Sequence, residues 1–208
     1  MPIDPTQVPG DKYYSKKPGM TIPDDIQFKK KTKFFKKFLV WQAIDQDGNV
    51  SEPYVSEGTI SGQIYLEECL KKRLLPFIHK YHRVDEVLFW PDMATSHYTR
   101  ECVDWLYDNS IEHVSRSENC PNFPQARPIE KFWALCKAEY AKRKSPAKTV
   151  RSFSRVWRAI SSGVAERSGK NLMSGVKQKL RSVRSDGVLA PMKIKLPLAN
   201  RNINKSSK

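Results

Sequence analysis

The sequence predicts an α/β protein, and three stretches carry that expectation. Val87–Trp90 is an apolar run of strand length that leads to Asp92. Helical periodicity then runs through Tyr98, Cys102, Trp105, Leu106 and Asn109, and Ile111–Val114 forms a second short strand. Strand, helix and strand in this order imply a right-handed parallel crossover.

Taken in order, residues 1–28 are rich in proline, glycine and charge, which predicts a loose segment. Lys29–Lys37 sets lysines next to a pair of aromatics and leads into the strand Phe38–Ile44. Such lysines suit a nucleic-acid backbone and suit equally a charged strand edge. Asp45-Gln46-Asp47-Gly48-Asn49 has the composition of a turn in which Gly48 supplies a positive φ, and Val50–Val55 returns as the paired strand, with Pro53 marking an edge. From Ser61 to about Lys80, Leu66, Leu70, Leu74, Phe77 and Ile78 mark an amphipathic helix that Pro76 is expected to kink or end. Val87–Trp90 reads as a buried strand, and Ser96 as the cap of the helix after it.

A proline-punctuated loop then opens a further helix. Pro128 suits the first helical position, which makes Arg127 the cap and Glu130 the third helical residue. Ile129, Trp133, Cys136 and Tyr140 are expected to face inward, while Glu130 shares its side with Ala134, Lys137 and Ala141. Ala141–Lys148 is a basic linker; Val150, Phe153, Val156, Trp157 and Ile160 predict one helix, and Leu172, Val176, Leu180 and Val183 another, closed by Gly187. These cationic helices either clamp a polyanion or complete the core. The implied organisation is a loose segment (1–28), a core (29–140), a basic helical extension (141–187) and a disordered tail (188–208).

Composition sets the partners. The net charge of +15 over 208 residues is unevenly spread. Residues 131–208 hold 20 Lys and Arg against Glu139, Glu166 and Asp186, while residues 1–130 are close to neutral at −2. A basic block of this kind draws polyanions by releasing their condensed counterions, so the expected partner is nucleic acid, the alternative being a solvated tail with no specific ligand. No apolar run approaches bilayer length and the amino terminus lacks a signal pattern, so an intracellular protein with no membrane partner is expected. Cys69, Cys102, Cys120 and Cys136 are irregularly spaced and read as reduced thiols; His79 and His82 read as a solvated helix end rather than a metal pair.

Asp92, at the carboxyl edge of a strand, and Glu130, in the first turn of a helix, are the candidate metal ligands and catalytic residues. Two nearby carboxylates repel unless a divalent cation lies between them, and Mg²⁺ prefers such hard oxygens. Singly, each has a plainer use: Asp92 bonding to loop amides, Glu130 complementing the helix dipole.

Asp92-Met93-Ala94-Thr95-Ser96-His97 resembles the Asp-Asn-x-Pro-x-His segment of mariner-like transposases, and Arg127-Pro128-Ile129-Glu130-Lys131-Phe132-Trp133 resembles their Asn-Pro-Ile-Glu-Asn-x-Trp segment. Phe38–Ile44 is also similar to the strand that precedes their glycine turn, so the likeness spans about Lys29 to Tyr140. It implies a ribonuclease H-like mixed sheet flanked by helices, carrying a DDE endonuclease that uses Mg²⁺ (or Mn²⁺) for DNA cleavage and strand transfer. Asp92 takes the place of the second acid and Glu130 of the third, across 37 intervening residues. The family's Asp-Asn is Asp-Met here, and its Asn-Pro is Arg-Pro. Its first acid lies on an earlier strand, for which this sequence offers Asp11 alone, among Pro5, Pro9, Gly10, Pro18 and Gly19. The fold is therefore expected to be incomplete at its N-terminal strand, and the chain to be a partial copy. The resemblance further implies nuclear localisation in a eukaryote, no small-molecule substrate and a homodimer, although no heptad supports the last. His97 reads as a residue that supports Asp92 rather than as a ligand. The alternative functions are a catalytically inactive, transposon-derived nucleic-acid-binding protein and a protein–protein module.

Overall fold

A computed structural model of the chain describes residues 37–119, 127–176, 178 and 180–181. Asp11, Lys29–Lys36, Cys120, Val183, Gly187 and the terminal segments 1–28 and 188–208 lie outside them. The described residues form an α/β structure with two separate two-stranded sheets rather than one continuous mixed sheet.

The first sheet is the predicted hairpin, shorter than its apolar runs. β1 (Leu39–Trp41) pairs antiparallel with β2 (Tyr54–Ser56), Leu39 opposite Ser56 and Trp41 opposite Tyr54. The pairing resumes as a bridge between Ile44 and Val50, one residue out of step. The extra residue lies on the Pro53 side, where the missing N–H interrupts the ladder. Asp45 closes the turn by accepting from the backbone N–H groups of Asp47 (2.9 Å) and Asn49 (2.8 Å). Gly48 takes φ +87°, as its place in the turn requires.

The amphipathic helix is continuous through α1 (Gly62–Ile64), a π-helical stretch (Tyr65–Leu74) and α2 (Leu75–Tyr81). It does not end at Pro76. The wider winding, in which Leu75 N–H reaches back to Leu70 O, gives room to a pyrrolidine ring that in α geometry would strike the carbonyl four residues back. The same winding puts Tyr65 and Cys69 on the buried face, where α periodicity favoured Leu66.

β3 (Leu88–Phe89) is not buried: Leu88 is 58% exposed. A two-residue strand paired on one side with β4 (Glu112–His113) has too little cover to hide both faces. Leu88 lies opposite Glu112 and Phe89 opposite His113, which bears out the parallel pairing of the two strands across α3 (Arg100–Asp108). Ser96 does not cap that helix. It falls inside a 3₁₀ turn, Thr95–Tyr98, and Thr99 takes the cap position.

α4 (Pro128–Ala141) is followed by α5 (Val150–Val164), whose N-terminus carries a reciprocal Thr149/Ser152 capping box. α5 runs on through a π-helical turn (Ala165–Gly169) into α6 (Lys170–Ser174), where two separate helices were expected. Of the two uses open to α5, it completes the core: Phe153, Trp157 and Val164 cluster with Phe38, Val55, Phe132, Cys136 and Tyr140. A second cluster holds Trp41, Tyr65, Cys69, Leu70, Leu74, Ile78, Cys102, Leu106 and Ile111. Buried Gln42 ties the hairpin to α5, its Nε2 donating to Ser51 O (2.7 Å) and Ser161 Oγ (3.2 Å). Cys69, Cys102 and Cys136 are free, buried thiols. Among the described residues no helix is long and apolar enough to cross a membrane.

Gly48 and Gly169 meet backbone to backbone, and a Cβ on Gly48 would stand 2.2 Å from the Gly169 carbonyl carbon. Gly48→Ala is expected to lose about 1–2 kcal/mol from the left-handed conformation alone, and more from the collision. Urea denaturation followed by circular dichroism measures it, and the midpoint should fall with an unchanged slope.

Candidate functional site

Asp92 lies three residues past the carboxyl end of β3. Val114 N–H bonds to Phe89 O (3.0 Å), the ladder stops, and Trp90-Pro91 carries the chain outward. Asp92 Oδ1 accepts from Ala94 N–H at 2.8 Å, the local loop bond open to any aspartate in this position. His97 adds something the loop alone does not supply. Its Nδ1 lies 2.7 Å from the same Oδ1, a close contact at a poor hydrogen-bond angle. The His97 ring is buried and stacks on Tyr65, with centroids 4.0 Å apart. Burial alone would raise the Asp92 carboxyl; His97, the Ala94 N–H and the charge of Arg127 outweigh it and hold the carboxyl below the usual aspartate range. Tyr65 is pushed well above the usual tyrosine value, first by burial and then by neighbours that include Asp92.

Glu130 stands where the proline rule put it. Arg127 is the cap residue, Pro128 opens α4, and Glu130 N–H bonds back to Arg127 O (3.2 Å). Its side chain is exposed in the first turn. The buried stripe of α4 differs from the expected one. Phe132, Cys136 and Tyr140 are fully buried, while Ile129 and Trp133 pack at the margin half-exposed. Phe132 is therefore the missed core residue, hidden in the sequence by the apolar Ile129 and Trp133 close to it.

Both acids line one cavity of about 410 Å³. Its walls come from β1 and its turn (Trp41–Gln46), from β3 and its exit (Val87–Asp92), and from the start of α4 (Arg127–Glu130), with Leu74, Phe77 and Ile78 on a further side. Arg127 lies over the Trp90 ring, 5.5 Å from guanidinium carbon to ring centroid. Among the described residues, no group of three or more His, Cys, Asp and Glu side chains is placed to hold a metal ion. No protein-family model and no curated protein matches the chain.

Two further groups at or beside the cavity have roles that the sequence did not disclose. His82, taken as part of a solvated helix end, is instead half-buried, with Nε2 2.9 Å from Asp45 Oδ2; His79 is exposed. Asn119, buried beside the cavity, binds Trp90, Pro91, Tyr98 and Arg127. A lone asparagine in a serine-rich turn carries no sequence signal for such a role.

Because the folded carboxyl of Asp92 titrates below its unfolded value of about 3.9, its contribution to stability is complete above that value and disappears as pH falls through the folded midpoint. A ¹³C NMR titration of the Asp92 carboxyl should give a midpoint below about 3.9. In His97→Phe, which keeps a ring against Tyr65, the midpoint should move upward.

Proposed function

We propose that the chain is a DDE endonuclease domain of mariner-like transposase descent, which cleaves and transfers DNA strands with a divalent cation. One observation carries this reading: Asp92 and Glu130, far apart in the sequence and each inside its own motif, line the same cavity. Donor chemistry supports Mg²⁺ or Mn²⁺ there. Asp92 receives its contacts among the described residues on Oδ1, so Oδ2 would be open to such a cation. Glu130 is exposed in the same cavity, and Mg²⁺ is commonly held by one or two carboxylates with substrate phosphate completing its shell. A bound cation supplies charge neutralisation at the phosphate and a water acidic enough to attack it.

The protein's own groups divide the remaining work. Asp92 stays ionised at neutral pH and is held in one orientation by His97 and the Ala94 amide. Arg127 brings a cation to the cavity wall, where a phosphate entering between the acids meets it. Lys144, Lys148, Arg151 and Arg155 are exposed along the linker and α5, a positive surface for the flanking backbone of DNA. The homodimer is carried over from the family likeness alone.

The second reading is a transposon-derived protein that binds nucleic acid without cutting it, favoured by a basic surface that needs no third acid to act. Purified protein with supercoiled plasmid and Mn²⁺ separates the two. Nicking that Asp92→Asn reduces by at least about a hundredfold, the scale of losing a main electrostatic contributor, supports the endonuclease. Retention of DNA that falls steeply with salt, with no nicking, supports the binder.

A further inference from the structure

We infer that Asn119 is the positioning residue of this cavity: its carboxamide fixes the Asp92 loop and the start of α4 at one separation. The inference rests on the reading of Asp92 and Glu130 as a cation-binding pair and adds the group that makes them one.

Asn119 is 3% exposed. Its Oδ1 accepts from Trp90 Nε1 (2.9 Å) and Arg127 Nη2 (2.7 Å), and its Nδ2 donates to Pro91 O (2.9 Å) and Tyr98 Oη (2.6 Å). A carboxamide has two donor hydrogens and two acceptor lone pairs, and all are used. The four partners belong to three pieces of the site. Trp90 and Pro91 are the two residues before Asp92. Tyr98 ends the 3₁₀ turn that carries His97. Arg127 is the cap residue of α4, three positions before Glu130. One planar group thus spans both walls that bear the acids, and the Arg127 stack on Trp90 closes the same triangle.

A small loss of register matters here because two carboxylates share a small cation only while their separation is held, and an exposed helix start does not hold it unaided. Outer groups that orient ligands typically change metal affinity by about 10–100-fold when removed. The substitutions divide the bridge. Asn119→Ala removes all of it. Asn119→Asp keeps acceptors for Trp90 and Arg127 but has no donor for Pro91 O, so it loosens the Asp92 loop, which keeps only its Trp90 bond, while α4 stays attached.

The test is Mn²⁺ binding to the full chain by calorimetry, far below the melting temperature, with thermal melts run in parallel. The parent should bind Mn²⁺, and Asp92→Asn and Glu130→Gln should each abolish binding. Asn119→Ala should bind at least about tenfold more weakly while still melting cooperatively, and Asn119→Asp should fall between. Asn119→Ala that melts lower yet binds Mn²⁺ like the parent overturns the positioning role and leaves the acid pair intact. Parental binding that is absent, or that survives both acid substitutions, overturns the acid pair and the positioning role with it. Should Asn119→Ala fail to fold, Asn119→Asp decides by the same comparison.

Discussion

The packing of one stripe of α4 governs the rest of the arrangement. Phe132, Cys136 and Tyr140 are buried against a ring cluster in which Phe38 and Phe153 lie 4.8 Å apart and Tyr140 and Phe153 5.2 Å apart. Burying a ring of that size stabilises by about 1.5–3 kcal/mol, more than any exposed ion pair on the helix contributes. The helix is therefore rotated by its core face, and the position of Glu130 is a consequence. The Tyr140 hydroxyl accepts from Ala147 N–H at 2.9 Å and secures the linker, so that α5 returns over the same core.

The cavity is the meeting place of two hydrophobic clusters rather than a hollow within either. Trp41 belongs to one cluster and its neighbour Val40 packs on the other, which is what a strand does when successive side chains point to opposite faces. β1 and β3 each line the cavity, and each is hydrogen-bonded to a strand of its own sheet. Polar groups gather where the strands end: Asp45 with His82 at the hairpin, Asp92 with His97 after β3.

What the sequence disclosed was chiefly punctuation and alternation. Pro128 fixed the start of α4 and the position of Glu130, Gly48 fixed the turn, and the order of apolar runs announced the parallel β3–β4 pair. Its errors arose where two physical signals overlapped. Pro76 is an ordinary helix stop, but a π-helical stretch ahead of it removes the clash. Ile129, Phe132 and Trp133 are all apolar, and one-dimensional spacing does not say which of them the core takes. Val87–Trp90 is apolar enough for an interior strand, yet burial depends on what lies above it, and Leu88 stands exposed. The roles of His82 and Asn119 are tertiary throughout, since each depends on partners that only folding brings near.

The thiols extend this division of the interior. Burial pushes Cys69 and Cys136 up to about 12 and raises Cys102 as well, so these three carry almost no thiolate at neutral pH and are poor targets for alkylating reagents in the closed protein. Cys136 lies in the ring cluster, Cys69 and Cys102 in the other. Each half of the interior thus carries its own chemical clock, and the order in which the three sulfurs become labelled records which half breathes first.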